Sequence, residues 1–166
     1  MKLLKLVFLV LPGAFTFSSA PAQNALINIV TKNTGIVHKS GTVFLEVTIN
    51  NTDPVAYIDV YKIRAKISVP VAISSIAATG HELPTGWTIL SNDGSTINLS
   101  NGKDMIAAND FRVLLIAIKG NHIGGPSTVA GQLSFSDGTP PGSATGSLHG
   151  DNSADNFSTS TCQVIK

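Results

Sequence analysis

The side chains in this sequence that could bear chemistry are four histidines, one cysteine, a run of Asp and Asn near the C-terminus, a Lys/Arg stripe and a few polar-handled aromatics. His38, His81, His122 and His149 all fall in stretches that read as loops, and none has a partner at metal-ligand spacing. A zinc site would require the fold to gather them, and surface histidines account for the same pattern. Serines are plentiful, but no Gly-x-Ser-x-Gly elbow exposes a nucleophile, and dispersed residues do not define a triad. Hydrolysis is unsupported and no enzyme is expected.

Asp151, Asn152, Ser153, Asp155 and Asn156 offer the hard oxygens that calcium takes. Their spacing does not match an EF-hand, and an Asx-rich turn uses the same residues to satisfy its own backbone. Asp151, Asn152 and Asp155 are the calcium candidates; no other cofactor is expected. Trp87 and Tyr57 are the rings a carbohydrate platform would need, although a Trp in a sandwich also serves as core, and Tyr61 lies on an expected buried face. Lys62, Arg64 and Lys66 could line a basic stripe that attracts an anionic polymer. The competing explanation is a solvated face whose cations discourage edge-to-edge pairing. Glu46 is read as an exposed acid rather than the promoter of a Lys-Asn isopeptide bond. Cys162, with no second cysteine to pair with, is a buried thiol in a last strand or an intermolecular disulfide.

Elements that would position these groups read as strands. From Thr42 to Asn50, Val43, Leu45, Val47 and Ile49 alternate with Phe44, Glu46, Thr48 and Asn50, the period of two of a half-buried strand. Asn50-Asn51-Thr52-Asp53-Pro54 stops it with turn residues. Tyr57 to Val69 predicts a long strand with Tyr61, Ile63, Ala65, Ile67 and Val69 on one face, and a bulge or switch near Val60. Val71 to Ile76 is a weaker strand. Trp87 to Leu90 and Thr96 to Leu99 flank Asn92-Asp93-Gly94, a hairpin signal because Asp-Gly tolerates positive φ. Phe111 to Ile118 is almost continuously apolar and predicts a central strand covered on both sides. Gly124-Gly125-Pro126 predicts a break before a strand from Thr128 to Phe135. Ser136 to Gly150 reads as a long irregular connection, and Phe157 to Ile165 as the closing strand. With Leu26 to Val30 this makes eight or nine strands and no amphipathic helix, the pattern of an all-β antiparallel sandwich.

Met1 to Lys5 carries two lysines, Leu6 to Leu11 is apolar, and Ala20-Pro21-Ala22 places small residues where a signal peptidase cuts. Residues 1–22 are read as a secretory signal peptide and 23–166 as one domain, outside the cytoplasm or on the cell surface. The apolar run is shorter than the ~20 residues of a membrane span. Charged residues make up only 13% of the chain, which argues against helical bundles and coiled coils. Without Lys2 and Lys5 the formal +1 becomes a slight acidic excess, so no nucleic-acid footprint is present.

The pieces, taken in order, resemble a bacterial extracellular immunoglobulin-like family, the conserved repeat domain of large surface proteins, and its adhesion-type relatives. Ser40-Gly41-Thr42 through Asn50-Asn51-Thr52 matches its Gly, alternating apolar strand and Asn-rich turn. Leu83-Pro84-Thr85-Gly86-Trp87 is similar to its apolar-Pro-x-Gly step, and Asp151 to Thr159 to its Asn-rich approach to the last strand. Members usually occur in tandem, whereas this sequence shows no second copy. The resemblance implies an immunoglobulin-like sandwich with a structural, spacer or adhesive role, and supplies no catalytic residues. The expected function is therefore a secreted or cell-surface structural or adhesive module whose partners are surface proteins or extracellular polysaccharide. The alternative is a carbohydrate-binding module using Trp87 and Tyr57.

Overall fold

The structure is a computed structural model that describes residues 23–138, 146, 148 and 150–166. The signal-peptide reading and His149 lie outside the described residues. The strands are β1 (Ala25–Thr31), β2 (Ile36–His38), β3 (Thr42–Asn51), β4 (Ile63–Ser68), β5 (Ser74–Ile76), β6 (Thr88–Asn92), β7 (Thr96–Ser100), β8 (Phe111–Gly120), β9 (Gly124–Phe135) and β10 (Phe157–Ile165). Short 3-10 turns occupy Asn33–Gly35 and Ser153–Asp155. A four-stranded sheet in the order β1-β3-β8-β5 packs on a six-stranded sheet in the order β2-β10-β9-β4-β7-β6. Pairing is antiparallel except where β10 meets β2 in parallel. The fold is the expected immunoglobulin-like all-β sandwich.

Alternation drives the packing. Ile27, Ile29, Leu45, Val47, Ile49, Leu114, Ile116 and Ile118 of one sheet meet Ile63, Ala65, Ile67, Ile97, Leu99, Val129, Leu133, Cys162 and Val164 of the other. The sheets approach so closely at Gly131 that a Cβ there would sit 2.0 Å from Ile29 Cδ1. The β6–β7 hairpin turns at Asp93-Gly94, with Gly94 at φ +83° and Asp93 Oδ1 accepting from the N–H groups of Ser95 and Thr96 at 2.8 and 2.7 Å.

β1 is an edge strand, yet three of its outward donors are satisfied. Ala25, Ile29 and Thr31 donate their N–H groups to Asp151 Oδ1, Ser158 Oγ and Ser160 Oγ at 3.2, 3.1 and 3.0 Å. The Ser residues of β10 thus close one side of the sandwich with side chains where backbone pairing ends.

Several sequence expectations are refined or corrected. The strand predicted from Tyr57 begins only at Ile63. Tyr61 adopts φ +57° and donates its N–H to Gly102 O at 2.7 Å, so it leaves the strand's buried row. The strand stops at Asn51 as expected, and Asn51 does more than end it. It is buried at the end of β3 and its amide donates to the carbonyls of Ala56, Ile106 and Ala107, pinning the loop that follows. β8 is central, but its outer face is open over its first part, where Phe111 is 55% and Val113 37% exposed, and covered farther along, where Ala117 is buried beside Gly80 and His81. Only the Leu114, Ile116, Ile118 set faces the other sheet. Gly124-Gly125-Pro126 opens β9 instead of interrupting the chain. The closing strand is internal, flanked by β9 and by β2, a three-residue strand too short to read from pattern.

Candidate functional site

Trp87 precedes β6 and is buried, 6% exposed. Its indole N–H donates to Asp104 Oδ2 at 2.8 Å. Arg112 bridges the same carboxylate, from Nε at 2.7 Å and Nη2 at 3.1 Å, and reaches Asp110 Oδ2 from Nη1 at 2.6 Å. These hydrogen bonds hold the guanidinium charged, well above its usual range, and the Asp110 carboxyl below the usual carboxylate range. Tyr57 stands 52% exposed with its carbonyl accepting from Gln23 Nε2 at 2.7 Å. A ring sealed in the core cannot stack on a sugar, so Trp87 serves the core role weighed beside the alternative carbohydrate platform of Trp87 and Tyr57. The sequence reading missed Asp104 and Arg112, whose only signal was a charged residue inside an otherwise apolar run.

Asp151, Asn152 and Asp155 are brought together with Asn24 and Asn156. Asp151 Oδ2 accepts from Asn156 Nδ2 at 2.6 Å, and Asp155 Oδ2 from Asn24 Nδ2 and Asn152 Nδ2 at 3.3 and 3.4 Å. Asn152 Oδ1 accepts from the Ala154 N–H at 3.3 Å, capping the 3-10 turn. The cluster therefore clasps the start of β1 to the approach of β10. Asp155 Oδ1 and Asn156 Oδ1 are buried without a partner, and no group of three His, Cys, Asp or Glu converges among the described residues.

The described histidines are dispersed. His38 and His122 are exposed. His81 is half-buried, contrary to the surface-loop expectation, and its Nδ1 accepts from the Ala117 N–H at 3.1 Å. Burial lowers its pKa below the usual value. Cys162 is fully buried in β10, out of reach of a second chain in the native fold, and desolvation pushes its thiol up. Glu46 forms an ion pair with Lys32 on the outside of β3.

The basic stripe is divided. Lys62 lies before β4 and donates Nζ to Ser136 O at 3.3 Å. Arg64 and Lys66 sit on the outer face of β4, alternating with the buried Ile63, Ala65 and Ile67. The opposite surface, outside the four-stranded sheet, carries Val30, Phe111 and Val113, all exposed, with Leu26, Phe44 and Leu115 half-buried among them. Register places Asn28, Thr48 and Val113 in one row across β1, β3 and β8, and Val30, Glu46 and Leu115 in the next.

No protein-family model matches the sequence, and no curated protein does. Among solved structures, the chain is similar to a cohesin module from a family 33 glycoside hydrolase of Clostridium perfringens. That likeness is at 11% identity with a TM-score of 0.54, covering 87% of this chain and 98% of that one. It is also similar to a non-cellulosomal cohesin from the archaeon Archaeoglobus fulgidus, at 12% identity and a TM-score of 0.50, covering 86% and 92%. An uncharacterized protein from Nocardia farcinica with an immunoglobulin-like fold is 14% identical with a TM-score of 0.45, covering 82% and 98%. The likeness is one of fold, and the fold is the one that the adhesion-type resemblance implies.

Proposed function

We propose that the chain is an extracytoplasmic, non-catalytic adhesive module that holds a protein partner against the outer face of its four-stranded sheet. The observation that supports this reading is the exposure of Val30, Phe111 and Val113 on one sheet face, on the strands either side of β3. Outward strand positions of an uncovered sheet ordinarily carry polar residues, and exposed apolar side chains grouped on a water-facing sheet mark an interaction site. Polar groups interleave with these side chains: Glu46, paired with Lys32, lies between Val30 and Leu115, Thr48 lies beside Val113, and Lys119 stands at the far end of β8. The leader-like residues 1–22 support export. No helix among the described residues is long and apolar enough to cross a membrane.

The test is adhesion of intact cells to surfaces coated with the purified protein, with and without prior protease treatment of the cells. Val113→Glu places a charge in the middle of the apolar surface without touching the core. The reading expects protease-sensitive adhesion that Val113→Glu abolishes at unchanged melting temperature. Adhesion indifferent to both treatments overturns it.

A further inference from the structure

The second open surface has a different chemistry. The six strands of the larger sheet contain no Asp or Glu, and their Lys and Arg residues are Arg64 and Lys66 alone. Both lie on β4, which is flanked by β9 on one side and β7 on the other. Cations that guard a sheet against edge-to-edge pairing belong on edge strands. Here they sit near the middle of the sheet, where that purpose does not arise.

Register gives the surroundings of Lys66. Phe157 of β10 stands opposite Gln132 of β9, Gln132 opposite Lys66, Lys66 opposite Asn98 of β7, and Asn98 opposite Ser91 of β6. One transverse row thus presents an aromatic ring, an amide, an ammonium, an amide and a hydroxyl across five strands. With strands about 4.8 Å apart the row runs roughly 19 Å, long enough to lie under an extended oligomer. Phe157 is 58% exposed, and Lys66, Gln132 and Ser91 are exposed as well. Between the Phe157 ring and Lys66 the surface dips into a groove of about 220 Å³. Ala130, the small outward residue beside Ser68, provides its floor. Asn98 uses its Nδ2 to donate to Ser91 Oγ at 2.8 Å, which fixes its amide and leaves Oδ1 as an acceptor.

We propose that this row is a binding groove for an acidic polysaccharide, with Lys66 meeting a sugar carboxylate, Gln132 and Asn98 its hydroxyls, and Phe157 the CH face of a neighbouring ring. Uronate chains combine those three features in one extended polymer: periodic carboxylates, dense hydroxyls and apolar ring faces. The charge is local, since residues 23–166 carry a slight acidic excess, so a generalised attraction for polyanions does not produce it. This site is separate from the apolar surface of the four-stranded sheet and stands whether or not that surface binds protein.

Affinity electrophoresis of the purified protein in native gels containing polygalacturonate, hyaluronan, dextran or duplex DNA tests the assignment. Polygalacturonate or hyaluronan should retard the protein, and dextran and DNA should not. Lys66→Gln should weaken the retardation by about tenfold or more, as expected for a lost charged hydrogen bond. Phe157→Ser should also weaken it, while Val113→Glu on the other sheet should leave it unchanged. Absence of retardation by both uronate polymers overturns the proposal, as does retardation indifferent to Lys66→Gln. Equal retardation by DNA with no effect of Phe157→Ser also overturns it, because the surface would then act through charge alone. Circular dichroism of each variant confirms that the fold persists, and because both substituted residues are exposed, loss of binding reports the groove.

Discussion

Trp87 and Asp104 are joined by a hydrogen bond of 2.8 Å from the indole N–H to Oδ2, an oxygen that also receives Arg112 Nε at 2.7 Å. One carboxylate therefore satisfies a buried indole and a half-buried guanidinium together, and fixes the loop before β8 to the loop before β6.

Removing that carboxylate strands the indole N–H and takes two contacts from Arg112, which keeps Asp110. Asp104→Ala is expected to destabilise the protein by about 2–3 kcal/mol, the cost of stranding a buried polar donor and weakening a charged pair. Denaturant melts measure it. Trp87 is the one tryptophan of the chain, so its fluorescence reports the site directly: acrylamide should quench it poorly in the native protein and well in Asp104→Ala. Ready quenching of the native protein contradicts the burial of Trp87.

Leu114 and Ile116 are fully buried on the inner face of β8. Leu114→Ala or Ile116→Ala should each cost ~2–5 kcal/mol through lost methyl burial and the cavity left behind. On the outer face, Val113→Ala should change stability by less than about 0.5 kcal/mol. Equal losses on the two faces would mean that this part of β8 is covered on both sides.

Stability should fall between neutral pH and about pH 5 because of His81. Burial holds the imidazole below its usual 6.5, and the neutral ring is the form that accepts from Ala117. The unfolded chain therefore takes up a proton first as the pH drops, so the stabilisation is present above about 6.5 and declines below it. The carboxyls of Asp93 and Asp110 are held below 3.8, by the Ser95 hydroxyl and by Arg112, so their contribution is lost only at lower pH. Thermal melts of His81→Gln should show a flatter profile from pH 7 to 5. An identical profile would place the titration elsewhere.

The hydroxyl clasp on β1 predicts a local effect. Ser158→Ala and Ser160→Ala should each cost about 1 kcal/mol and should accelerate amide hydrogen exchange at Ile29 and Thr31, whose N–H groups those hydroxyls receive. Unchanged protection at both amides would show that the edge of β1 is sealed by other groups.

Cys162 should resist thiol reagents until the protein unfolds, because the side chain is fully buried and its thiol is held protonated. Labelling kinetics across a urea series should follow the unfolding transition. Rapid labelling in native buffer, or a covalent dimer under oxidising conditions, would contradict the buried position.

Residue type and period-two alternation determined the class by themselves. Val43 to Ile49 and Ile63 to Ile67 sort their side chains to one face by local geometry, and Asp93-Gly94 makes its turn from its own φ preference and side-chain acceptor. Those properties depend on neighbours in sequence, which is why the sandwich was legible. Only the tertiary structure decided that Trp87 lies inside against Asp104, that Asn51 closes a loop through three distant carbonyls, and that the outer face of the apolar β8 is left open over its first part. It also decided that Lys66 belongs to an internal strand beside Gln132 and Phe157, residues 66 and 91 positions further along the chain. Pairing order and register are set by long-range backbone hydrogen bonds and by which apolar faces can be buried together, and no local run of residues encodes either.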